Sequence, residues 1–307
     1  MVLFSERAKH LDEVNTNMPK VQLTLDDSRR LTGKNLLWDK PGAIIDAYVE
    51  SVDKLELVHV WQAYVSQLFA RVGWQAQQHC YRIFDNGVNL AISAPMDALY
   101  AAVELNDLAW RMVEQHYGLT PTPFETDIEP FETDIEPFEN ATELAEQQHE
   151  SFDLELKIRQ LKDAIAQESN AELMTLIAKA EAQNAAYLVD DDEFSLGFGG
   201  SAQIWPIGAL PAIDSLNWSQ FTRVPCVYVT GTNGKSTTVR LISKMFSKAN
   251  YCCGVTSTDF IKVGERVIDT GDYSGPSGAR MLLREAELEA AVLEVARGGL
   301  LRRGLPI

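Results

Sequence analysis

The chain has 307 residues, enough for about two domains with real cores. Hydrophobic residues make up 46% and charged residues 23%, as in ordinary globular proteins, while the formal net charge is −17. That acidity excludes a broad grip on nucleic acid, which needs a basic face. No apolar run reaches the roughly 18 residues of a membrane-spanning helix, so no membrane partner is expected. Met1–Val14 is charged from Glu6 onward and lacks an apolar signal core, which predicts a cytoplasmic protein. Cys80, Cys226, Cys252 and Cys253 show no framework spacing and read as free thiols.

Residues 1–20 carry no clear periodicity and read as a loosely held terminus. Val21–Leu25 alternates as a strand does, and Asp26–Asn35 reads as a polar turn holding Arg29, Arg30 and Lys34. Ala43–Val49 is a second strand. Val58, Trp61, Val65, Leu68 and Val72 mark one face of a helix that Gly73 ends. Cys80–Phe84 and Val88–Ile92 flank Asp85-Asn86-Gly87, a hairpin signal in which Gly87 supplies positive φ. Ser93 and Pro95 open another helix, whose Met96, Leu99, Tyr100 and Val103 share a face and which Gly118 stops. Residues 20–118 are therefore expected to form a small two-layer α/β domain. Trp38, Trp61, Trp74 and Trp110 read as packing residues, and His59, His79, His116 and His149 show no metal-ligand spacing.

Residues 119–141 contain a short repeat, PFETDIE at Pro123–Glu129 and again at Pro130–Glu136. Between Pro121 and Glu155 there are twelve acidic residues and no Lys or Arg, so this stretch reads as a solvated linker. Residues 142–189 read as a helical hairpin, with one stripe of Leu154, Ile158, Leu161 and Ile165 and another of Leu173, Leu176, Ile177 and Ala180. Residues 190–223 read as a Gly/Pro-rich connector.

In residues 224–307, Val227, Tyr228 and Val229 close a buried-strand run. Thr230, Gly231, Thr232, Asn233, Gly234, Lys235, Ser236 and Thr237 then lead into an amphipathic helix. A strand feeding a Gly-rich turn that opens a helix is a phosphate-binding device, because glycine lets backbone N–H groups face an anion and the helix adds its positive end. Lys235 can reach terminal phosphates and the Ser236 hydroxyl can ligate Mg²⁺. The strict P-loop pattern has glycine where Val229 stands, so a narrower pattern, TGTNGKS, applies. Further on, Cys252–Thr256 reads as a strand, Val263-Gly264-Glu265 as a hairpin turn, Ser277–Glu287 as helical, and Glu289–Val295 as a third strand carrying Glu294 near its carboxyl end. Ligands bind beyond the carboxyl ends of strands in open α/β sheets, so Glu294 and the loop would converge.

Thr230–Thr238, TGTNGKSTT, resembles the ATP-binding loop of the Mur ligase family, which includes folylpolyglutamate synthases and cyanophycin synthetases. Gly271–Arg280, GDYSGPSGAR, and Val292–Arg303, VLEVARGGLLRR, look most like the ligase part of the cyanophycin synthetases. Arg29–Asn35 is faintly similar to an Arg-Gly-Pro-Asn stretch near the start of the cyanophycin synthetases, but Lys34 stands where the proline would be and the stretch reads in preference as a solvated basic turn. The resemblance implies ATP and Mg²⁺ as cofactors, small-molecule carboxylate and amine substrates, and amide formation through an acyl phosphate. It makes Lys235 catalytic and Ser236 and Glu294 metal-binding. Asp259, Asp272, Ser277 and Arg297 are weaker candidates for contacts to nucleotide or substrate; each is equally open to a local capping or pairing role.

The expected fold class is α/β: a small two-layer α/β domain, an acidic linker, a helical hairpin and the first part of a P-loop parallel-sheet ATP-binding domain. The family has further strands, an Asp-His segment and a C-terminal domain after the stretch that ends here at Ile307, and the cyanophycin synthetases have an ATP-grasp domain before the loop. The expectation is thus an incomplete catalytic unit, inactive alone, with one sheet edge unpaired, Glu289–Val295 either at that edge or beside an empty strand position, and a second polypeptide completing the ligase. The rival expectations are a nucleotide-binding regulatory or assembly subunit without ligase activity, and a P-loop kinase or phosphatase.

Overall fold

The Asp53 side chain accepts a hydrogen bond from the Glu56 N–H and opens helix α1 (Lys54–Val72); Gly73, at φ 85°, closes it. In the computed structural model, which describes residues 20–120, 153–296 and 304–305, this helix buries Leu57, Val58, Trp61, Val65 and Leu68 against a four-stranded antiparallel sheet. The strands are β1 (Gln22–Leu31), β2 (Gly42–Glu50), β3 (His79–Phe84) and β4 (Gly87–Ser93), in the order β1-β2-β4-β3. Helix α2 (Leu99–His116) completes the helical layer. Trp61, Trp110 and Trp74 are core residues, as expected of packing residues.

Three details differ from the sequence reading. Strand β1 runs on through Asp26–Leu31, where a polar turn was expected; a register shift between Leu25 and Asp27 keeps it paired with β2. Its charged residues are paired, because Arg29 lies 2.9 Å from Asp27 along the strand and 2.8 Å from Asp46 across on β2. Gly87 does not adopt positive φ; a Cβ there would lie 2.2 Å from the Ala47 carbonyl oxygen and meet the Phe84 ring, so close approach is what requires glycine. The buried face of α2 centres on Ala102, Leu105, Asn106, Ala109 and Val113, while Tyr100 is 52% exposed.

Asp153 caps α3 (Leu154–Glu168) and Asn170 caps α4 (Ala171–Ala182). The two helices do not form a self-packed hairpin. Ile158 and Leu161 of α3 join the core of the first sheet, whereas Leu173, Leu176, Ile177 and Ala180 of α4 join a separate core with Phe194, Leu196 and Phe221. Residues 187–206, expected as a helix end and a connector, form a three-stranded antiparallel sheet of β5 (Tyr187–Val189), β6 (Glu193–Leu196) and β7 (Gln203–Pro206). The Tyr187, Phe194 and Trp205 rings stack across it at 6.4 Å spacings. The expected terminus (residues 1–19), the PFETDIE repeat, residues 142–152 and Arg297 lie outside the described residues.

The last unit is a five-stranded sheet of β8 (Cys226–Val229), β9 (Cys253–Thr256), β10 (Phe260–Val263), β11 (Arg266–Thr270) and β12 (Ala290–Glu294), in the order β11-β10-β9-β12-β8. The β9, β12 and β8 strands are parallel, and β10 and β11 extend the sheet antiparallel. Helix α5 (Lys235–Lys248) covers one face through Val239, with Ile242 and Phe246. Helix α6 (Pro276–Leu283) covers the other through Ala279, Leu282 and Leu283. The helix expected over Ser277–Glu287 thus ends at Leu283. Nor does β12 lie at the sheet edge or beside an empty strand position: it is buried between β9 and β8, as its unbroken apolar run requires, and among the described residues β8 is the edge strand on that side. Among the described residues no helix is long and apolar enough to cross a membrane.

Candidate functional site

Strand β8 ends at Val229, and the chain turns through Gly231 (φ 151°) and Gly234 (φ 79°) into α5, whose first residue is Lys235. No side chain caps this helix and its first turn holds no acidic residue, so its first N–H groups and positive end are not neutralised by a neighbouring cap. Thr230, Thr232, Asn233 and Thr237 are exposed, while Lys235 and Ser236 are half-buried. Loop 230–234 therefore presents backbone to solvent at the carboxyl end of a parallel strand.

Register brings β12 to the same place. Glu294 pairs with Val229, the residue before the loop, and Leu293 pairs with Thr256, the last residue of β9. The carboxyl ends of three strands thus meet at one edge of the sheet. Strand alternation puts Glu294 on the face of Val292, which packs in the core beneath α5. Glu294 is 2% exposed and its Oε2 has no hydrogen-bond partner among the described residues. Thr256 is buried too, and its Oγ1 is equally without a partner. A buried carboxylate oxygen left unpaired is costly unless a cation or donor meets it. Ser236 and Glu294 are oxygen donors of the kind Mg²⁺ takes, with water and phosphate filling most of its positions. No cluster of three or more His, Cys, Asp or Glu residues suited to a metal occurs among the described residues, so a cation here would lean on ligand oxygens.

The weaker candidates fall at the rim. Asp259 pairs at 2.6 Å with Arg240 of α5, both exposed. Asp272 accepts from the Ser274 N–H at 3.0 Å and the Ser274 hydroxyl at 2.6 Å; those bonds hold its carboxyl below the usual range and make it a turn-capping residue. Ser277 is exposed in the first turn of α6. The second Gly-rich loop is tied to the strand ends by two backbone bonds, Tyr273 N–H to the Ser257 carbonyl at 2.8 Å and Ala296 N–H to the Ser274 carbonyl at 3.1 Å. The sequence reading passed over Thr256; the one available signal was its place at the end of the apolar run Cys252–Val255.

Residues 229–305 match the family described as the Mur ligase middle domain. The stretch spans the Gly-rich loop, both parallel strands that follow and α6, which are the elements that converge at the site. Curated relatives agree with the Mur ligase match. The chain is 49% identical over 84 residues to the cyanophycin synthetase of Crocosphaera subtropica, covering 27% of this chain and 10% of that protein. It is 46% identical over 98 residues to the cyanophycin synthetases of a Synechocystis species and of Geminocystis herdmanii, in each case covering 32% of this chain and 11% of the relative. The matched region thus spans about a tenth of the length of these relatives.

Proposed function

We propose that residues 224–307 form the nucleotide-binding part of an ATP-dependent carboxylate–amine ligase of the Mur type. The observation that carries this reading is the unpartnered, buried carboxylate oxygen of Glu294, set by strand register beside an uncapped helix that opens with Lys235 and Ser236. Sequence similarity to the Mur ligase middle domain supports the reaction class.

In the proposed reaction a carboxylate oxygen attacks the γ-phosphorus of ATP, ADP leaves, and an amine then displaces phosphate from the acyl phosphate to give the amide. The loop N–H groups following Gly231 and Gly234 would hold the phosphates in line, and the Lys235 ammonium would offset charge growing on the transferred group. Ser236 and Glu294 would hold Mg²⁺, which neutralises charge between the phosphates when bound. Burial keeps Glu294 away from bulk water and so strengthens its hold on a cation.

Calorimetric titration with Mg·ATP tests the site. Lys235→Ala is expected to weaken binding by about 1.5–3 kcal/mol through loss of a charge-assisted contact. Equal affinity of the wild type and the variant would remove Lys235 from the site.

A further inference from the structure

The turn between β5 and β6 places two carboxylates back to back. It is closed by the Asp190 N–H donating to the Glu193 carbonyl at 2.8 Å, so their spacing is held by the backbone. Asp190 reaches towards α6: it pairs with Arg280, and at 2.6 Å with Arg284 just past the helix end. Arg284 also meets Glu193 at 2.9 Å and donates to the Ser195 hydroxyl at 3.0 Å. Both arginine side chains are only 10% exposed, so their charges depend on these partners. Asp191, the next residue, reaches the opposite way. It accepts from Arg30 of β1 at 2.5 and 3.2 Å and from the Tyr100 hydroxyl of α2 at 2.9 Å, while the Arg30 guanidinium lies 3.8 Å over the Tyr100 ring.

Helix α6 is not a neutral anchor point. Its leading loop, Asp272–Gly275, is bonded to the chain after β9 and after β12, at the sheet edge where Glu294 lies. Arg280 sits one turn into the helix. A shift of α6 would draw Asp190 with it or strand two nearly buried guanidinium groups, and a shift of Asp190 moves Asp191 against Arg30. Arg30, Tyr100, Asp190, Asp191, Ser277 and Arg280 also border one broad open cleft.

We propose that the Asp190–Asp191 turn is a coupling element through which the Arg30–Tyr100 face of the first sheet unit sets the position of α6 and of the Asp272–Gly275 loop. The turn lies outside the stretch matched to the Mur ligase middle domain, so the coupling is a property of this chain and not of that domain alone. Its consequence for nucleotide rests on the ligase reading above; the coupling itself does not.

The test is hydrogen exchange on the full chain without nucleotide. Asp191→Ala removes the hydrogen-bond partner of Arg30 and Tyr100 and, in α6, only a through-space attraction to Arg280; it is expected to speed exchange in 276–283 about tenfold, a shift of local opening rather than of global stability. Asp190→Ala should affect the same peptide, and the double variant should do no more than Asp190→Ala, the non-additivity of residues in one network. Exchange changes confined to the β5–β6 turn, β1 and α2, with 276–283 unaltered, would overturn the proposal. Should Asp191→Ala loosen every peptide, Tyr100→Phe removes a single hydrogen bond from the network; it is expected to speed 276–283 about threefold, and no change there would equally overturn the coupling. A parallel Mg·ATP titration separates the two claims: absence of binding by the wild type counts against the ligase reading and leaves the exchange result to decide the coupling.

Discussion

The first sheet unit and the last one treat buried polar groups in opposite ways. Beneath α1 and α2, Asn106 is fully buried, accepts from the Trp61 indole N–H at 3.0 Å and donates to the Leu90 carbonyl at 3.0 Å. The Trp110 indole likewise donates to Glu114 at 3.1 Å. The buried side-chain groups of this unit without a partner among the described residues, Trp38 Nε1 and the Tyr117 hydroxyl, are neutral. At the carboxyl edge of the last sheet the groups without a partner among the described residues include a carboxylate, Glu294, besides the neutral hydroxyls of Tyr228 and Thr256. Saturated polar pairs in a core fix one packing; an unsaturated charge in a core is a standing demand for a ligand. The contrast supports the nucleotide site proposed above at the last sheet.

The largest effect that would break this contrast is at Asn106. Asn106→Ala orphans two buried partners at once and is expected to cost about 2–4 kcal/mol of stability, read as a lower denaturant midpoint. A loss well under 1 kcal/mol would mean that the pair does not specify the core.

Asp107 sharpens the comparison, because it is a carboxyl in the first unit that burial pushes up to about 6, with the Ser28 hydroxyl at 2.5 Å and Arg111 acting against that rise. Its folded value lies above the unfolded one, so the native form keeps its proton longer and the ionised group opposes folding. Stability is then expected to fall as pH rises from about 4 to 6, and Asp107→Asn to recover roughly 2–3 kcal/mol at pH 8 and nothing near pH 3.5. Melting curves of both proteins across that range provide the check; a pH-independent difference would contradict it.

The smallest effect is at Gly234. It sits at φ 79° with no heavy atom within 4 Å of a would-be Cβ, so Gly234→Ala meets only the conformational penalty of the left-handed region, about 1–2 kcal/mol. A melting temperature equal to wild type would show that the loop relaxes to another backbone conformation.

The elements that sequence disclosed were those with a long period or sharp punctuation. Helix α1 has its stripe and Gly73, the β3–β4 hairpin has its turn residues, and the run from β8 into α5 has its glycines. Strand β1 was hidden because an edge strand can carry Asp27, Arg29 and Arg30 when ion pairs satisfy them. Strands β5 to β7 were hidden because three or four residues are too few to show a period of two. That α3 and α4 serve different cores depends on contacts with residues far along the chain, which a stripe on one helix does not specify. At the candidate site, Glu294 stood out as a lone acid ending an apolar strand, whereas its pairing with Val229 and the exclusion of partners around it are facts of sheet order.

The central claim is that the Glu294 carboxylate and the Gly-rich loop serve one ligand. The direct measurement is Mg·ATP affinity, with and without Mg²⁺, for the wild type and for Glu294→Gln. The account predicts Mg²⁺-dependent binding by the wild type and, in Glu294→Gln, loss of most of that dependence together with a higher melting temperature in the absence of ligand, as an unpaired buried charge is removed. Equal Mg²⁺ dependence in the two proteins, or an unliganded variant less stable than the wild type, would contradict it.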